Sequence, residues 1–268
     1  MPFSFFALVL AWTWSLWGIV ALWRLDPWTG PGLALLVAGG AGPPLVGLFM
    51  ATRFYGTRGL TDIARRLVSP GRIRGYWWAA VLLLVPAIEA AAISLAPLAG
   101  GDSAAAAVAH WGTALSAPLA LIGSAVFLLL LGPLPEEIGW RGFVLDQLQR
   151  RFAPITASVI LALAWFAWHL PLFAISGYYD RFGGAPPLAL FGLDLLLTSL
   201  LITWIYNHTS RSLLGAVLVH FTVNASGQAM TGGATADWIA TLLTALVVAA
   251  VIARGGLDPR TVSRTIRL

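Results

Sequence analysis

Apolar residues come along this chain in runs of about twenty, each closed by a short polar or proline- and glycine-rich break. A run of that length crosses the hydrocarbon core of a bilayer as one helix, so the pattern predicts an all-α, polytopic membrane protein. About eight spans are expected, over 3–23, 31–51, 76–98, a fourth beginning near Pro118, then 154–175, 188–206, 211–229 and 236–253. A small-residue stretch over 99–117, with His110 as an outer-loop residue, leads into the fourth. Between the second and third spans lies the polar segment RFYGTRGLTDIARRLVSPGRIRG. Within it Leu60, Ile63, Ala64 and Leu67 share one helical face, the pattern of a short helix lying on the membrane surface. The N-terminal FSFFALVLAWTWSLWGIVALW has no basic stretch ahead of it and reads as a retained first span, not a cleaved signal. With no internal repeat or linker, residues 1–268 are expected to form a single membrane domain.

Composition narrows the chemistry. Charged residues make up only 10% of the chain, and there is no cysteine, which removes disulfides, thiolate catalysis and cysteine-ligated metals together. The 16 basic residues are all arginine. In a membrane protein that charge reports topology rather than nucleic-acid binding, so the lipid bilayer is an expected partner and nucleic acid is not. If the segment 53–75 faces the cytosol, alternation of spans places both termini there. Only Arg24 and Arg181 then fall on the outer side, as the positive-inside rule asks.

One stretch stands out against the apolar background, GPLPEEIGWRGFVLDQLQ from Gly132 to Gln149. It sets two adjacent glutamates, Glu136 and Glu137, directly after the run SAVFLLLLGP. A carboxylate at membrane depth is costly and is seldom left there without a role. Pro133 and Pro135 predict a break or restart of the helix just before the pair. On the helix that follows, Glu137 and Arg141 are spaced for an ion pair with the acid N-terminal. Glu136 is then the carboxylate without an obvious local partner, and a candidate general base.

Two further stretches carry polar groups into apolar spans: AWFAWHLP with His169, and LVHFTVN with His220 and Asn224. Arg150, Arg151 and Pro154 mark a turn, and Glu136 lies about as far before it as His169 lies after it. In an antiparallel hairpin both would sit at a similar depth, roughly 20 Å in at about 1.5 Å per residue. From the turn near Arg211, His220 lies about 14 Å in and Asn224 about 20 Å by the same rise. His220 and Asn224 share one helix face. Each group alone has a bland alternative: a solvated helix end for the glutamates, interhelical hydrogen bonds for the histidines and Asn224. Glu89 and Asp194 read as structural or cavity-facing, His208 beside Asn207 as turn chemistry, and the tryptophan stripes as packing and interfacial anchors. What distinguishes Glu136, His169, His220 and Asn224 is their convergence at one depth.

These segments resemble the CAAX protease and bacteriocin-processing family of intramembrane glutamic endopeptidases, recognised by the motifs EExxxR, FxxxH and HxxxN. The chain has EEIGWR at Glu136–Arg141, WFAWH ending at His169, and HFTVN at His220–Asn224, with Trp165 standing where the family usually has Phe. That exchange reads as one aromatic for another. The resemblance covers roughly 115–230, taken as the catalytic core. It implies that Glu136 activates a water, that His169 holds it, and that His220 and Asn224 donate to the oxyanion. Glu137 and Arg141 would frame Glu136. The implied partner is a peptide or protein substrate, itself membrane-anchored in some members, and the implied setting is a bacterial plasma membrane. No cofactor is expected. The alternatives are a zinc protease using Glu136, His169 and His220, though no HExxH spacing is present, and a non-catalytic immunity or peptide-binding protein. A transporter would need paired broken helices, which the sequence lacks.

Overall fold

The computed structural model describes residues 1–102, 117–229 and 233–261; His110, most of the small-residue stretch and the end of the arginine-dotted tail lie outside them. The described chain is helical throughout, in the order α1 (Pro2–Leu22), α2 (Gly30–Gly40), α3 (Gly42–Leu67), α4 (Trp77–Leu95), α5 (Pro118–Leu131) and α6 (Pro133–Gly139). A π-helical turn over Trp140–Val144 joins α6 to α7 (Leu145–Gln149). Then follow α8 (Pro154–His169), α9 (Leu188–His208), α10 (Leu213–Ala229) and α11 (Gly233–Ala253). Among the described residues seven segments are long and apolar enough to cross a membrane, and Leu213–Gly227 is a shorter apolar helix. The protein is therefore an all-α polytopic membrane protein.

Proline sets the helix starts. α1, α2, α3, α5, α6 and α8 each carry one within their first two positions, where the missing N–H has no intrahelical partner to lose. The break foreseen ahead of the glutamates falls at Gly132, whose φ of −119° and ψ of −95° end α5 before Pro133 opens α6. Side chains of α1 then serve the last turn of α2: the Trp12 and Trp17 indoles donate to the carbonyls of Ala38 and Leu36, and the Thr13 hydroxyl to that of Gly39. These tryptophans are hydrogen-bond donors as well as packing anchors. In the turn between α1 and α2, the Trp28 backbone N–H and the Thr29 hydroxyl hold the Asp26 carboxyl below its usual range. Trp28 itself stacks on Tyr178 at 5.4 Å, with the Arg181 guanidinium 4.6 Å from its ring centre.

Burial is distributed unevenly. No residue of α5 is buried, so its apolar surface is left to lipid. From Gly139 to Gln149, by contrast, every residue is buried. Two of the largest enclosed side chains, Trp140 and Arg141, come from this stretch. α3 packs on α6 so closely that side chains cannot intervene. A Cβ added at Gly139 would stand 2.3 Å from the Pro43 carbonyl oxygen, and one at Gly47 would stand 3.0 Å from the Gly139 Cα. Small residues permit such approach between membrane helices, where dispersion contacts replace the hydrophobic effect as the driving force.

The polar segment after the second span is helical as far as Leu67, in continuation of α3. Gly56, at φ 61° and ψ −150°, kinks α3, and the helix beyond it packs on the protein through Gly59, Ile63 and Arg66. Of the stripe Leu60, Ile63, Ala64 and Leu67, Ile63 is buried against the protein, Leu60 and Leu67 are half-buried and Ala64 is exposed. The inward side of this helix also carries Arg66, 1% exposed. A π turn widens the helix and frees backbone carbonyls, and Arg66 answers two of them. Its Nη2 donates to Gly142 O at 2.5 Å and its Nη1 to Arg141 O at 3.3 Å, with the Tyr206 hydroxyl oxygen 3.1 Å from Arg141 O. Arg66 and Arg211 share the carboxylates of Asp62 and Asp146. Two arginines and two aspartates thus balance in a largely buried cluster, which Tyr206 completes by donating to Asp146 at 2.9 Å.

Two stability outcomes follow. Gly139→Ala is expected to cost about 1–3 kcal/mol, because backbone rather than a flexible side chain stands in the way. Gly123→Ala, where an added Cβ meets nothing within 4 Å, is expected to leave the detergent melting temperature unchanged or higher. Equal melting of the two variants would contradict the close approach. Arg66→Met is expected to lose about 3–5 kcal/mol by stranding a buried acid, with partial recovery in the double variant that also carries Asp62→Asn.

Candidate functional site

The glutamate pair is placed by the restart at Gly132. Because Pro133 begins a new helix, Glu136 falls in the first turn of α6 and Glu137 one position on, both inside the bundle at 7% and 0% exposure. A bare carboxylate in such a place is tolerated only with donors around it. Each glutamate has its own.

Glu137 forms the expected ion pair one helical turn along, with Arg141 Nη1 at 2.7 Å from its Oε1. The same oxygen faces His220 Nδ1 at 2.9 Å, across from α10. An ionised carboxylate only accepts, so Nδ1 of His220 carries a proton and Nε2 is the ring nitrogen left for other partners. Glu137 Oε2 and the Nε and Nη2 atoms of Arg141 have no hydrogen-bond partner among the described residues.

Glu136 is not the partnerless carboxylate that its spacing suggests. The indole N–H of Trp165, on α8, donates to its Oε2 at 2.8 Å. The Trp140 indole lies within reach of the same carboxylate without a well-formed hydrogen bond. Trp165 also presents its ring to Arg141, whose Cζ stands 5.0 Å from the ring centre, and meets His220 edge-on at 5.0 Å. One helical turn further, His169 sets Nδ1 2.9 Å from the Trp165 carbonyl oxygen. A carbonyl cannot donate, so Nδ1 is again the protonated nitrogen and Nε2 the free one. Edge-to-face contacts with Trp168 at 4.6 Å and Phe191 at 5.3 Å hold the ring in place. Trp168 is in turn anchored by its indole to the Thr13 hydroxyl of α1 at 2.8 Å.

Asn224, one turn beyond His220 on α10, is half-buried and faces the break before α6; a Cβ added at Gly132 would lie 3.5 Å from its Nδ2. Glu136, Glu137, Arg141, Trp165 and His220 are thus joined by direct contacts, with His169 attached through the Trp165 backbone and Asn224 at the edge. Among the described residues no three His, Asp or Glu side chains converge as a group that could hold a metal ion.

Other polar residues lie elsewhere. Asp194 accepts a hydrogen bond from Thr241 at 2.6 Å, joining α9 to α11, and Glu89 lies within electrostatic reach of Asp194 and Asp237. His208 and Asn207 do more than shape a turn. His208 packs 5.0 Å from the Trp77 ring centre, and the buried Asn207 donates to Gln149 at 2.8 Å. The hydrogen bond from Trp165 is not legible in the motif spacing; its one signal is the residue type, since a buried indole N–H needs an acceptor and a carboxylate is the strongest.

Residues 117–226 match the family described as type II CAAX prenyl endopeptidase Rce1-like. The chain is also 33% identical over 130 residues to the "CAAX prenyl protease 2" of Methanococcus maripaludis, an alignment covering 47% of this chain and 48% of that protein. The match therefore spans about half the length of the curated relative. All three motifs and all of the contacts around Glu136 and Glu137 on α6, α8 and α10 fall inside the matched residues. Over this segment the chain is similar to the type II CAAX prenyl endopeptidases.

Proposed function

We propose that the chain is an intramembrane endopeptidase in which Glu136 activates a water for attack on a peptide carbonyl. The observation that supports this reading most is the burial of Glu136 with one oxygen held by the Trp165 indole, while the neighbouring Glu137 holds His220 by Nδ1 and the Trp165 carbonyl holds His169 by Nδ1. Peptide hydrolysis needs a base, a positioned water and donors for the oxyanion. Glu136 takes the water's proton and later returns it to the leaving amine. His169, with its Nε2 lone pair, accepts a hydrogen bond from the same water and orients it. Asn224 donates to the oxyanion from Nδ2. His220 can donate there only from Nε2, and only with both ring nitrogens protonated. Glu137, already shared with Arg141, is the counter-charge which that state requires.

In this reading the substrate is a peptide or protein presented at the membrane, and the curated relative's name makes a prenylated C-terminal peptide the first to try. Cleavage lies toward the cytosolic side, with both termini cytosolic and the arginine-rich face inward. The zinc alternative asks Glu136, His169 and His220 to converge on one ion, an arrangement not found among the described residues. An immunity or peptide-binding protein would bind the same peptide without cleaving it.

Cleavage of a quenched fluorescent farnesylated CAAX peptide, beside its unprenylated counterpart, separates these readings. Glu136→Gln is expected to fold, bind and lose about 10²–10⁴ in turnover, because the amide cannot take the proton. Asn224→Ala is expected to lose about 10²–10³. A chelator should leave the wild type untouched; activity lost on chelation and restored by zinc would favour the metal enzyme instead. For topology, reporter tags on either terminus are expected to read cytosolic and one in the 177–187 loop to read outside, and a terminal tag found outside would reverse the assignment.

A further inference from the structure

Trp165 is the side chain through which the parts of this site meet. It is 1% exposed, and its indole N–H stands 2.8 Å from Glu136 Oε2. Its ring is flanked by the Arg141 guanidinium at 5.0 Å and the edge of His220 at 5.0 Å. Its carbonyl oxygen accepts from His169 Nδ1 at 2.9 Å. A glutamate side chain has three rotatable bonds and two equivalent oxygens, so burial alone does not decide which oxygen meets a reacting water. An indole locked by packing on several sides does decide it, because its single donor points along one line.

We propose that Trp165 is a positioning residue for Glu136: its N–H holds Oε2, fixes the plane of the carboxylate and so presents Oε1 as the oxygen that takes the water's proton. This rests on Glu136 being the base. It also revises the exchange of Phe for Trp in the second motif, because a phenyl ring fills the space and contributes no hydrogen. A chain with Phe here has to orient its glutamate by other means, whereas this chain has built the constraint into the aromatic itself. The same residue couples the two catalytic helices, since a shift of α8 that moves the His169 ring moves the donor to Glu136 with it.

The test uses the full-length protein in lipid nanodiscs, labelled with ¹⁵N at its tryptophan indoles. Trp165→Phe identifies the Trp165 N–H resonance by its disappearance. That resonance is expected downfield in the wild type and shifted upfield in Glu136→Ala. A resonance indifferent to Glu136 overturns the hydrogen bond. With the farnesylated CAAX peptide, Trp165→Phe is expected to lower kcat by about 10- to 100-fold while KM stays within about twofold, the loss that matches one hydrogen bond to a charged group. Benzothienylalanine at position 165 keeps the indole's shape and replaces the N–H with sulfur, so it is expected to show the same fall in kcat with an unchanged melting temperature. Wild-type kcat in the benzothienylalanine protein, beside an inactive Glu136→Gln, overturns the positioning role and leaves the base intact. An active Glu136→Gln overturns the base instead.

Discussion

Placing two neighbouring carboxylates inside the helix bundle is the constraint that the rest of the structure answers. Each buried ion costs several kcal/mol unless donors replace its hydration, and adjacent like charges add to that cost. Glu137 meets it with a guanidinium and an imidazole on one oxygen, and Glu136 with an indole. Those three donors come from α8, α10 and the π turn, so meeting the charge requirement fixes the relative placement of the segments that carry the motifs. The residues that make the site polar are the same ones that hold the helices together. This is why the most enclosed part of the molecule is also one that carries buried charge.

The π turn carries that logic outward. Within it Arg141 pairs with Glu137 and Trp140 lies beside Glu136, while the carbonyls of Arg141 and Gly142 accept hydrogen bonds from outside the helix. Arg66 supplies those donors, Tyr206 donates to Asp146 beside it, and the aspartates that balance Arg66 bring in Arg211. A local irregularity of five residues is thereby tied to α3, α9 and the turn before α10.

Much of this was legible in the sequence, for reasons that differ from part to part. The spans follow from run length, and the restart ahead of Glu136 from two prolines whose effect is local. The Glu137–Arg141 pair follows from helical spacing alone. What could not be read depends on directions between helices. Nothing in the chain order says that the Trp165 indole turns toward α6 and not toward lipid, and its substitution for Phe looked neutral because hydrophobicity scales count the ring and ignore the N–H. The inward turn of Arg66 is hidden for a related reason: apolar periodicity marks Leu60, Ile63, Ala64 and Leu67, and only the carbonyls of the π turn make an arginine a residue that faces inward.

The contacts of Arg66 bear on modularity. The segment shared with the prenyl endopeptidases, 117–226, contains the three motifs, yet several groups that complete its interior come from earlier in the chain. Arg66 covers the carbonyls of Arg141 and Gly142, Thr13 accepts from Trp168, and Pro43 and Gly47 form the surface against which Gly139 lies. A transplanted 117–226 would keep every motif residue and leave open carbonyls and a bare glycine seam. The unit of sequence likeness is therefore smaller than the unit of folding. The N-terminal helices are free to diverge in composition so long as they return an arginine, a hydroxyl and a glycine to those places.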